Sequence, residues 1–286
     1  MILNVVTVLT FCLTLLFFGC LTGVTTVLFG FGGGFVTVPV VYGVLTATAR
    51  PGIPADAVHP ADAMHVAVAT SAAVMVVNAV VATRGQWRQG RLRRAYVWPL
   101  AAYVAIGAAA GSFAATLLGG TALRLLFAAY LLVTIADSVL RKGFLSVSPE
   151  TSPKPLGPAT TTFGGTGIGL VAAALGVGGS VMTVPLLRRR GLPMAEATAM
   201  ANPLSVPVAV AGTLVYVLAP TGTGPLGYVD LTAGAALLLG SLPAIALTRR
   251  VAGRVPDRIH SRAYVALLVV VLAVMLSFES TGFLDL

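Results

Sequence analysis

Long, sparsely charged apolar stretches alternate with short basic clusters along the whole chain. Six of these stretches approach the ~20 residues that a helix needs to cross a bilayer, namely 62–83, 95–118, 124–140, 195–218, 229–248 and 263–279. Two more stretches, 2–49 and 159–187, are too long for one crossing, and each contains an internal glycine run. The pattern predicts an all-α polytopic membrane protein in which both long stretches are glycine-broken helical hairpins.

A short motif occurs twice, once in each hairpin. The segment Gly30–Pro39 reads Gly-Phe-Gly-Gly-Gly-Phe-Val-Thr-Val-Pro, and Gly176–Pro185 reads Gly-Val-Gly-Gly-Ser-Val-Met-Thr-Val-Pro, without a gap. Extending this register backward also pairs Gly19 with Gly165 and Gly23 with Gly169. We therefore divide the chain into a first repeat over 1–142, a Pro-rich linker over 143–158 and a second repeat over 159–286. Glycine breaks at corresponding positions of two halves are typical of a transporter's substrate site.

The charge pattern predicts how the two halves lie in the membrane. Most basic residues fall in four clusters, at 84–94, 141–154, 188–190 and 249–262. The positive-inside rule places all four on the cytoplasmic side of the plasma (inner) membrane, so that both termini lie outside the cytoplasm. Corresponding loops differ in charge, because 84–94 is basic whereas its counterpart 219–229 is uncharged, and 119–123 is uncharged whereas its counterpart 249–262 is basic. We therefore predict two inverted-topology repeats, each a hairpin plus three transmembrane helices.

Composition supports a membrane protein and narrows its partners. Hydrophobic residues make up 57% of the chain and charged residues only 9%, against about 25% charged in soluble domains. The net charge of +9 falls in predicted loops, so we expect the lipid bilayer, and no nucleic acid, as the partner. The sequence has no His-Glu-x-x-His motif and no acidic cluster within the predicted spans, so we expect no enzyme, metal or cofactor. The run Gly107–Gly111 favours close helix packing within or between subunits, which leaves a homo-oligomer open.

The glycine breaks carry the candidate chemistry. If each hairpin turns there, two helices begin inside the membrane and present unpaired N–H groups with a partial positive charge. Two such helix starts would form a neutral, donor-rich pocket for a small anion. The residues expected to bind it are Gly30, Gly32, Gly33, Gly34 and Thr37 in the first hairpin and Gly176, Gly178, Gly179, Ser180 and Thr183 in the second. Close helix packing is the alternative explanation of these glycines.

Neighbouring helices are expected to add hydroxyl and amide groups. Thr198, Asn202 and Ser205 recur at the spacing of one helix face. Ser71 and Asn78 lie seven positions apart, with Thr70 beside Ser71. We expect all six side chains to contribute to the substrate site, although hydrogen bonds between helices would also explain such residues.

These motifs resemble those of the sulfite exporter TauE/SafE family of membrane permeases. The resemblance rests on the Gly-x-Gly-Gly-Gly-x4-Pro pattern at Gly30–Pro39, its variant at Gly176–Pro185, and the stretches Ala67–Ser71, Ala197–Ala201 and Leu118–Phe127. It implies a permease that moves sulfite, organosulfonates or other small anions. Two departures stand out, since Ser180 replaces a glycine and Met200-Ala201 stand where the family usually has Thr-Ser.

The predicted spans contain no central acidic residue, and this bears on the driving force for transport. No acidic residue falls at the centre of a predicted span, whereas proton-coupled transporters usually place ionisable groups there. We therefore expect anion export by alternating access that is driven by the membrane potential. An uptake carrier for a small anion and a passive anion channel are the alternatives, because the sequence fixes no direction.

Overall fold

A computed structural model describes residues 2–47, 60–140, 144, 153–219 and 226–283. Those residues form helices and connecting turns, without a β-strand. The helices are α1 (Ile2–Phe29), α2 (Gly34–Ala47), α3 (Pro60–Arg88), α4 (Arg94–Thr116), α5 (Gly120–Leu140), α6 (Gly165–Ala174), α7 (Ser180–Arg189), α8 (Met194–Leu218), α9 (Leu231–Thr248) and α10 (Asp257–Phe283). A π-helical turn, Thr160–Gly164, leads into α6, and a 3-10 turn, Ala252–Arg254, precedes α10.

Seven of the described helices are long and apolar enough to cross a membrane: α1, α3, α4, α5, α8, α9 and α10. The remaining helices, α2, α6 and α7, are too short to cross a bilayer alone and flank the two glycine runs. The chain is thus an all-α, multi-pass membrane protein, as its hydrophobic pattern predicts.

The helix ends differ from the predicted spans mainly where arginines occur. The span 62–83 extends through Arg84 to Arg88 in α3, and the span 263–279 begins earlier, at Asp257 in α10. Long arginine stems allow the guanidinium to reach the polar boundary while the backbone remains helical. Hydropathy therefore underestimates the length of both helices.

The basic segments of both halves gather at one end of the bundle. Arg249 lies beside Gly85 at the end of α3, and Arg93 pairs with Glu196 at 2.9 Å. Arg189 likewise pairs with Asp137 at 3.0 Å. Residues 141–143 of the second basic cluster lie outside the described residues. These contacts bring described parts of the basic segments close together, and the side of the membrane that they face stays a prediction.

Arg188 is fully buried at this basic end. Its guanidinium donates to both carboxylate oxygens of Asp257, at 3.0 and 2.9 Å. It also donates to the carbonyl oxygens of Phe144, at 2.6 Å from Nη2, and of Leu192, at 3.2 Å. The Arg188 side chain is 0% exposed, whereas that of Asp257 is 38% exposed. One side chain thus joins α7, the start of α10 and the segment between the halves.

Each hairpin packs against a helix of the other half. In the first hairpin Gly23 of α1 lies against the Ser241 carbonyl of α9, and in the second Gly169 of α6 lies against the Val104 carbonyl of α4. The α3 and α8 helices meet between them. The absence of side chains at these glycines permits the close backbone approach.

The glycines of α4 pack within the chain. Gly107 lies against the Thr166 carbonyl and Gly111 against the Leu170 carbonyl, both on the second hairpin. This contact accounts for the Gly107–Gly111 run without a second subunit.

Candidate functional site

The backbone leaves helical geometry at both glycine runs. The first break lies between Phe29 and Gly34, and the second lies between Ala174 and Ser180. Gly33 in the first break has a φ of 96°, and Gly176 in the second has a φ of 65°. Only glycine adopts such angles at low steric cost. The sequence therefore places glycine where the backbone leaves helical geometry in each motif.

The two glycine breaks lie directly against each other. A Cβ atom on Gly34 would lie 2.6 Å from the Gly176 carbonyl oxygen, and one on Gly178 would lie 2.7 Å from the Phe31 carbonyl oxygen. Real Cβ atoms do not approach an oxygen so closely, so this contact requires glycine. All residues of both breaks are buried. The structure thus represents an arrangement in which the breaks are closed against each other.

Ser71 holds the two breaks together. Its hydroxyl lies 3.0 Å from the Gly34 carbonyl oxygen and 2.8 Å from the Gly176 carbonyl oxygen. Since a hydroxyl has one proton, the two carbonyl groups share it. Ser71 lies near the middle of α3, which places the meeting point deep within the bundle.

Met75 and Ser205 lie on either side of the same meeting point. A Cβ atom on Gly32 would lie 2.8 Å from Met75 Cγ, and one on Gly178 would lie 2.6 Å from Ser205 Oγ. Sequence analysis missed Met75 because its thioether is typical of an apolar core. Its spacing, four positions after Ser71, is the signal that would have found it.

Gly33 faces a polar group of side chains. A Cβ atom there would lie 2.7 Å from Asn78 Nδ2 and 2.8 Å from Thr22 Cγ2. Ser241 Oγ donates to Asn78 Oδ1 at 2.8 Å. Asn78 Nδ2 and Thr22 Oγ1 are buried and have no hydrogen-bond partner within the described part of the chain. Sequence analysis missed Thr22 and Ser241, because each is one of several hydroxyls along an apolar helix and no motif marks it.

Asn202 also lies near the first break. Its Nδ2 donates to the Thr26 carbonyl oxygen at 3.1 Å. Gly30 N–H donates to the same oxygen, also at 3.1 Å. Asn202 therefore braces the end of α1, while its Oδ1 has no partner among the described residues.

Four expected hydroxyls bond to their own helices. Thr37 donates to the Gly33 carbonyl at 2.8 Å, and Thr183 donates to the Gly179 carbonyl at 2.6 Å. Thr198 and Ser205 donate in the same manner, to Met194 and Ala201 at 3.0 Å each. With their protons engaged, these oxygens are acceptors in this arrangement. Thr37 and Thr183 thus donate to the last residue of their own break, and the bonds of all four stay within one break or helix.

Thr70 and Ser180 differ from the rest. Thr70 Oγ1 accepts a hydrogen bond from Asp230 N–H at 2.9 Å, so it faces the start of α9. Adjacent helical positions point about 100° apart, which explains why Ser71 reaches the breaks and Thr70 does not. Ser180 begins α7, and its buried hydroxyl has no partner in the described structure.

The meeting point has the electrostatics of an anion site without a charged side chain. The first hydrogen bond within α2 runs from Thr37 N–H to the Gly33 carbonyl at 3.3 Å, and that of α7 runs from Thr183 N–H to the Gly179 carbonyl at 2.9 Å. The N–H groups before these residues have no intrahelical acceptor, and they carry the positive end of the helix dipole. The nearest side chains, Thr22, Ser71, Met75, Asn78 and Ser205, are all neutral. Such a site can stabilise a small anion through N–H and O–H donors.

Comparison with known proteins finds one family. The family model described as sulfite exporter TauE/SafE matches residues 15–276. No curated protein and no solved structure gives a significant match. The matched region includes both glycine breaks and every residue that surrounds them.

Proposed function

Because the chain belongs to the sulfite exporter TauE/SafE family, which is a family of membrane permeases, we propose that it exports a small oxyanion by alternating access. Sulfite and organosulfonates are the substrates that fit the proposal. The supporting observation is the contact between two helix-starting glycine breaks at Ser71, deep in the bundle. Intramembrane helix starts of this kind are how many transporters bind anionic groups.

Transport would require the two breaks to separate. In the closed arrangement Gly34 and Gly178 occupy the space that the anion would need. Separation would replace the contact between breaks by contacts from each break to the anion. The proposed cycle therefore alternates between a closed state and states that open towards one side of the membrane.

Inverted-topology repeats would account for this motion. Equivalent glycines of the two motifs make equivalent contacts across the halves, because Gly30 lies against the Thr198 carbonyl and Gly176 lies against the Val68 carbonyl. Two related halves that cross at one site permit similar rearrangements towards either face. We propose that the protein lies in the plasma membrane, with its basic end facing the cytoplasm and both termini on the opposite side.

The membrane potential would drive the export. The side chains at the breaks are neutral, so a bound anion would carry its own charge across the membrane. A monovalent anion that leaves a negative interior gains about 2.3 kcal/mol per 100 mV.

Purified protein in liposomes tests the proposal. The vesicles are loaded anaerobically with sulfite or methanesulfonate, and a potassium gradient with valinomycin sets the potential. We expect saturable efflux that shows counterflow and increases when the interior is negative. Gly178→Leu, which fills the contact between the breaks, should abolish the flux without preventing reconstitution.

Each alternative gives a different result. Flux that does not respond to the potential would contradict electrogenic export. Single-channel current steps would indicate a passive channel, and flux coupled to an inward gradient would indicate uptake.

A further inference from the structure

The two glycine breaks face side chains of different chemistry. We call the side chains that contact Gly33 the wall of the first break and those that contact Gly179 the wall of the second. Gly33 and Gly179 occupy the same position in the two motifs. Gly33 faces Asn78 and Thr22, whereas a Cβ atom on Gly179 would lie 3.2 Å from Ile168 Cγ2 and 3.7 Å from Val208 Cγ2. The surroundings of Gly33 thus include an amide donor, Asn78 Nδ2, beside the methyl group of Thr22. The surroundings of Gly179 are aliphatic except for Thr183 Oγ1, at 3.7 Å, whose proton is already donated to the Gly179 carbonyl oxygen.

The residues that pack behind the two walls, Ser241 and Val104, also differ in polarity. In the first half Gly23 packs against Ser241, and Ser241 donates to Asn78. At the matching contact of the second half, Gly169 packs against Val104. A valine cannot hold an amide, and none of the three atoms nearest to a Cβ on Gly179 belongs to an amide. The second break has its own buried hydroxyl without a described partner, Ser180 Oγ, but the hydroxyl-held amide of Asn78 and Ser241 is found at the first break.

Asn78 is fixed with its donor group towards the break. Its Oδ1 accepts from Ser241, which orients Nδ2 towards Gly33. Both Asn78 and Thr22 are 0% exposed. Neither Asn78 Nδ2 nor Thr22 Oγ1 has a partner among the described residues. A buried polar group without a partner is unfavourable, so these two groups, on side chains that both contact Gly33, indicate an acceptor that binds there.

We infer that the oxyanion binds off-centre, against the first glycine break, where it accepts from Asn78 Nδ2 and from the hydroxyl of Thr22, the side chain whose methyl group contacts Gly33 in the closed arrangement. Ser241 is a positioning residue that holds the amide. The ligand class is a sulfite or sulfonate group, since its several oxygens can accept from both donors at once. This inference rests on the proposed function and adds to it the position of the anion.

Three substitutions replace the polar wall by the chemistry of the opposite one. Asn78→Val copies Val208, Thr22→Val removes only the hydroxyl, and Ser241→Ala releases the amide. The first two should each raise the KM for sulfite by roughly 10- to 100-fold, because a hydrogen bond to a charged ligand is lost. Ser241→Ala should raise KM about threefold with kcat unchanged, and Ser241→Thr should restore the wild-type KM.

The opposite wall provides the matched control. Val208→Thr changes polarity without changing shape and should leave KM within about twofold of the wild type. Efflux of sulfite from proteoliposomes gives KM and kcat, normalised to reconstituted protein. Stabilisation by sulfite against thermal unfolding in detergent gives binding without transport, and Asn78→Val and Thr22→Val should lose it.

The outcomes separate the inference from the proposed function. If the wild type neither transports nor binds sulfite or methanesulfonate, the proposed function and the off-centre site are both wrong. If the wild type transports while Asn78→Val and Thr22→Val keep its KM, only the off-centre site is wrong. Equal KM increases in Val208→Thr and Asn78→Val would also overturn it. If Asn78→Val does not fold, Thr22→Val decides alone, because it is isosteric.

Discussion

The Ser71 hydroxyl lies 2.8 Å from the Gly176 carbonyl oxygen, so a helix of the first half holds the glycine break of the second. The same hydroxyl lies 3.0 Å from the Gly34 carbonyl oxygen in its own half. Helix α3 is thus the element through which the two breaks contact each other. Any motion that separates the breaks must release at least one of these contacts.

Removal of the Ser71 hydroxyl should weaken the closed arrangement. Ser71→Ala leaves two buried carbonyl oxygens without this donor, which we expect to cost about 1–3 kcal/mol. Thermal unfolding of purified protein in detergent measures the change. Ser112→Ala is the control, because buried Ser112 donates only to Ala108 of its own helix, at 2.9 Å. Equal effects of the two substitutions would contradict the bridging role of Ser71.

Equivalent glycines should tolerate alanine differently. Gly33 has a φ of 96°, and a Cβ atom there would lie 2.7 Å from Asn78 Nδ2. Gly33→Ala should therefore lower the free energy of unfolding by about 2 kcal/mol or more. Gly179 has a φ of −58°, and its nearest Cβ contact is 3.2 Å from Ile168 Cγ2. Gly179→Ala should stay within about 1 kcal/mol of the wild type. Melting temperatures of the two variants give the comparison, and equal losses would show that the two sites are alike.

Two ion pairs at the basic end should differ in their importance. Asp257→Asn removes the charge that offsets fully buried Arg188, and we expect a loss of about 3 kcal/mol. Asp137→Asn removes the partner of Arg189, whose side chain is 30% exposed, and should cost at most about 1 kcal/mol. Unfolding of both variants in the same detergent measures this. A larger loss in Asp137→Asn would mean that burial of Arg188 does not decide the energetics.

The proposed orientation can be tested by labelling. Gln89 is exposed at the basic end of α3, and Gly119 is exposed between α4 and α5. In a background with Cys12 and Cys20 replaced by alanine, a single cysteine is introduced at either position. A membrane-impermeant maleimide added to whole cells should label Gly119→Cys and not Gln89→Cys. The opposite pattern would place the basic end outside the cell.

Sequence reasoning identified the residues that local patterns mark. The glycine runs stand out because glycine interrupts an apolar helix, and Ser71 and Asn78 stand out because a polar side chain is rare there. Met75 was missed because a methionine in an apolar helix usually packs in the core, although its position one turn after Ser71 places it on the same helix face. The role of Thr37 stays a prediction, and the sequence did not show that its hydroxyl would donate to the Gly33 carbonyl in this arrangement, as hydroxyls in helices readily do.

Contacts between segments that are distant in the chain could not be predicted from the sequence. The pairing of Asn78 with Ser241 joins α3 to α9, and no periodicity within either helix reveals it. The polarity difference between the walls becomes visible only when Gly33 and Gly179 are compared with their neighbours in space. The repeat established which positions correspond, and the fold established what each one touches.

The exchange of packing partners between the halves bears on how the chain is made. Helix α1 is synthesised early, yet the surface that receives Gly23 belongs to α9, which leaves the ribosome near the end. Until α9 is made, the surface of α1 that contains Gly23 must contact lipid or an insertion factor. Packing of the first hairpin is therefore a late event. A nascent chain that stops before α9 would lack the helix surface against which α1 packs.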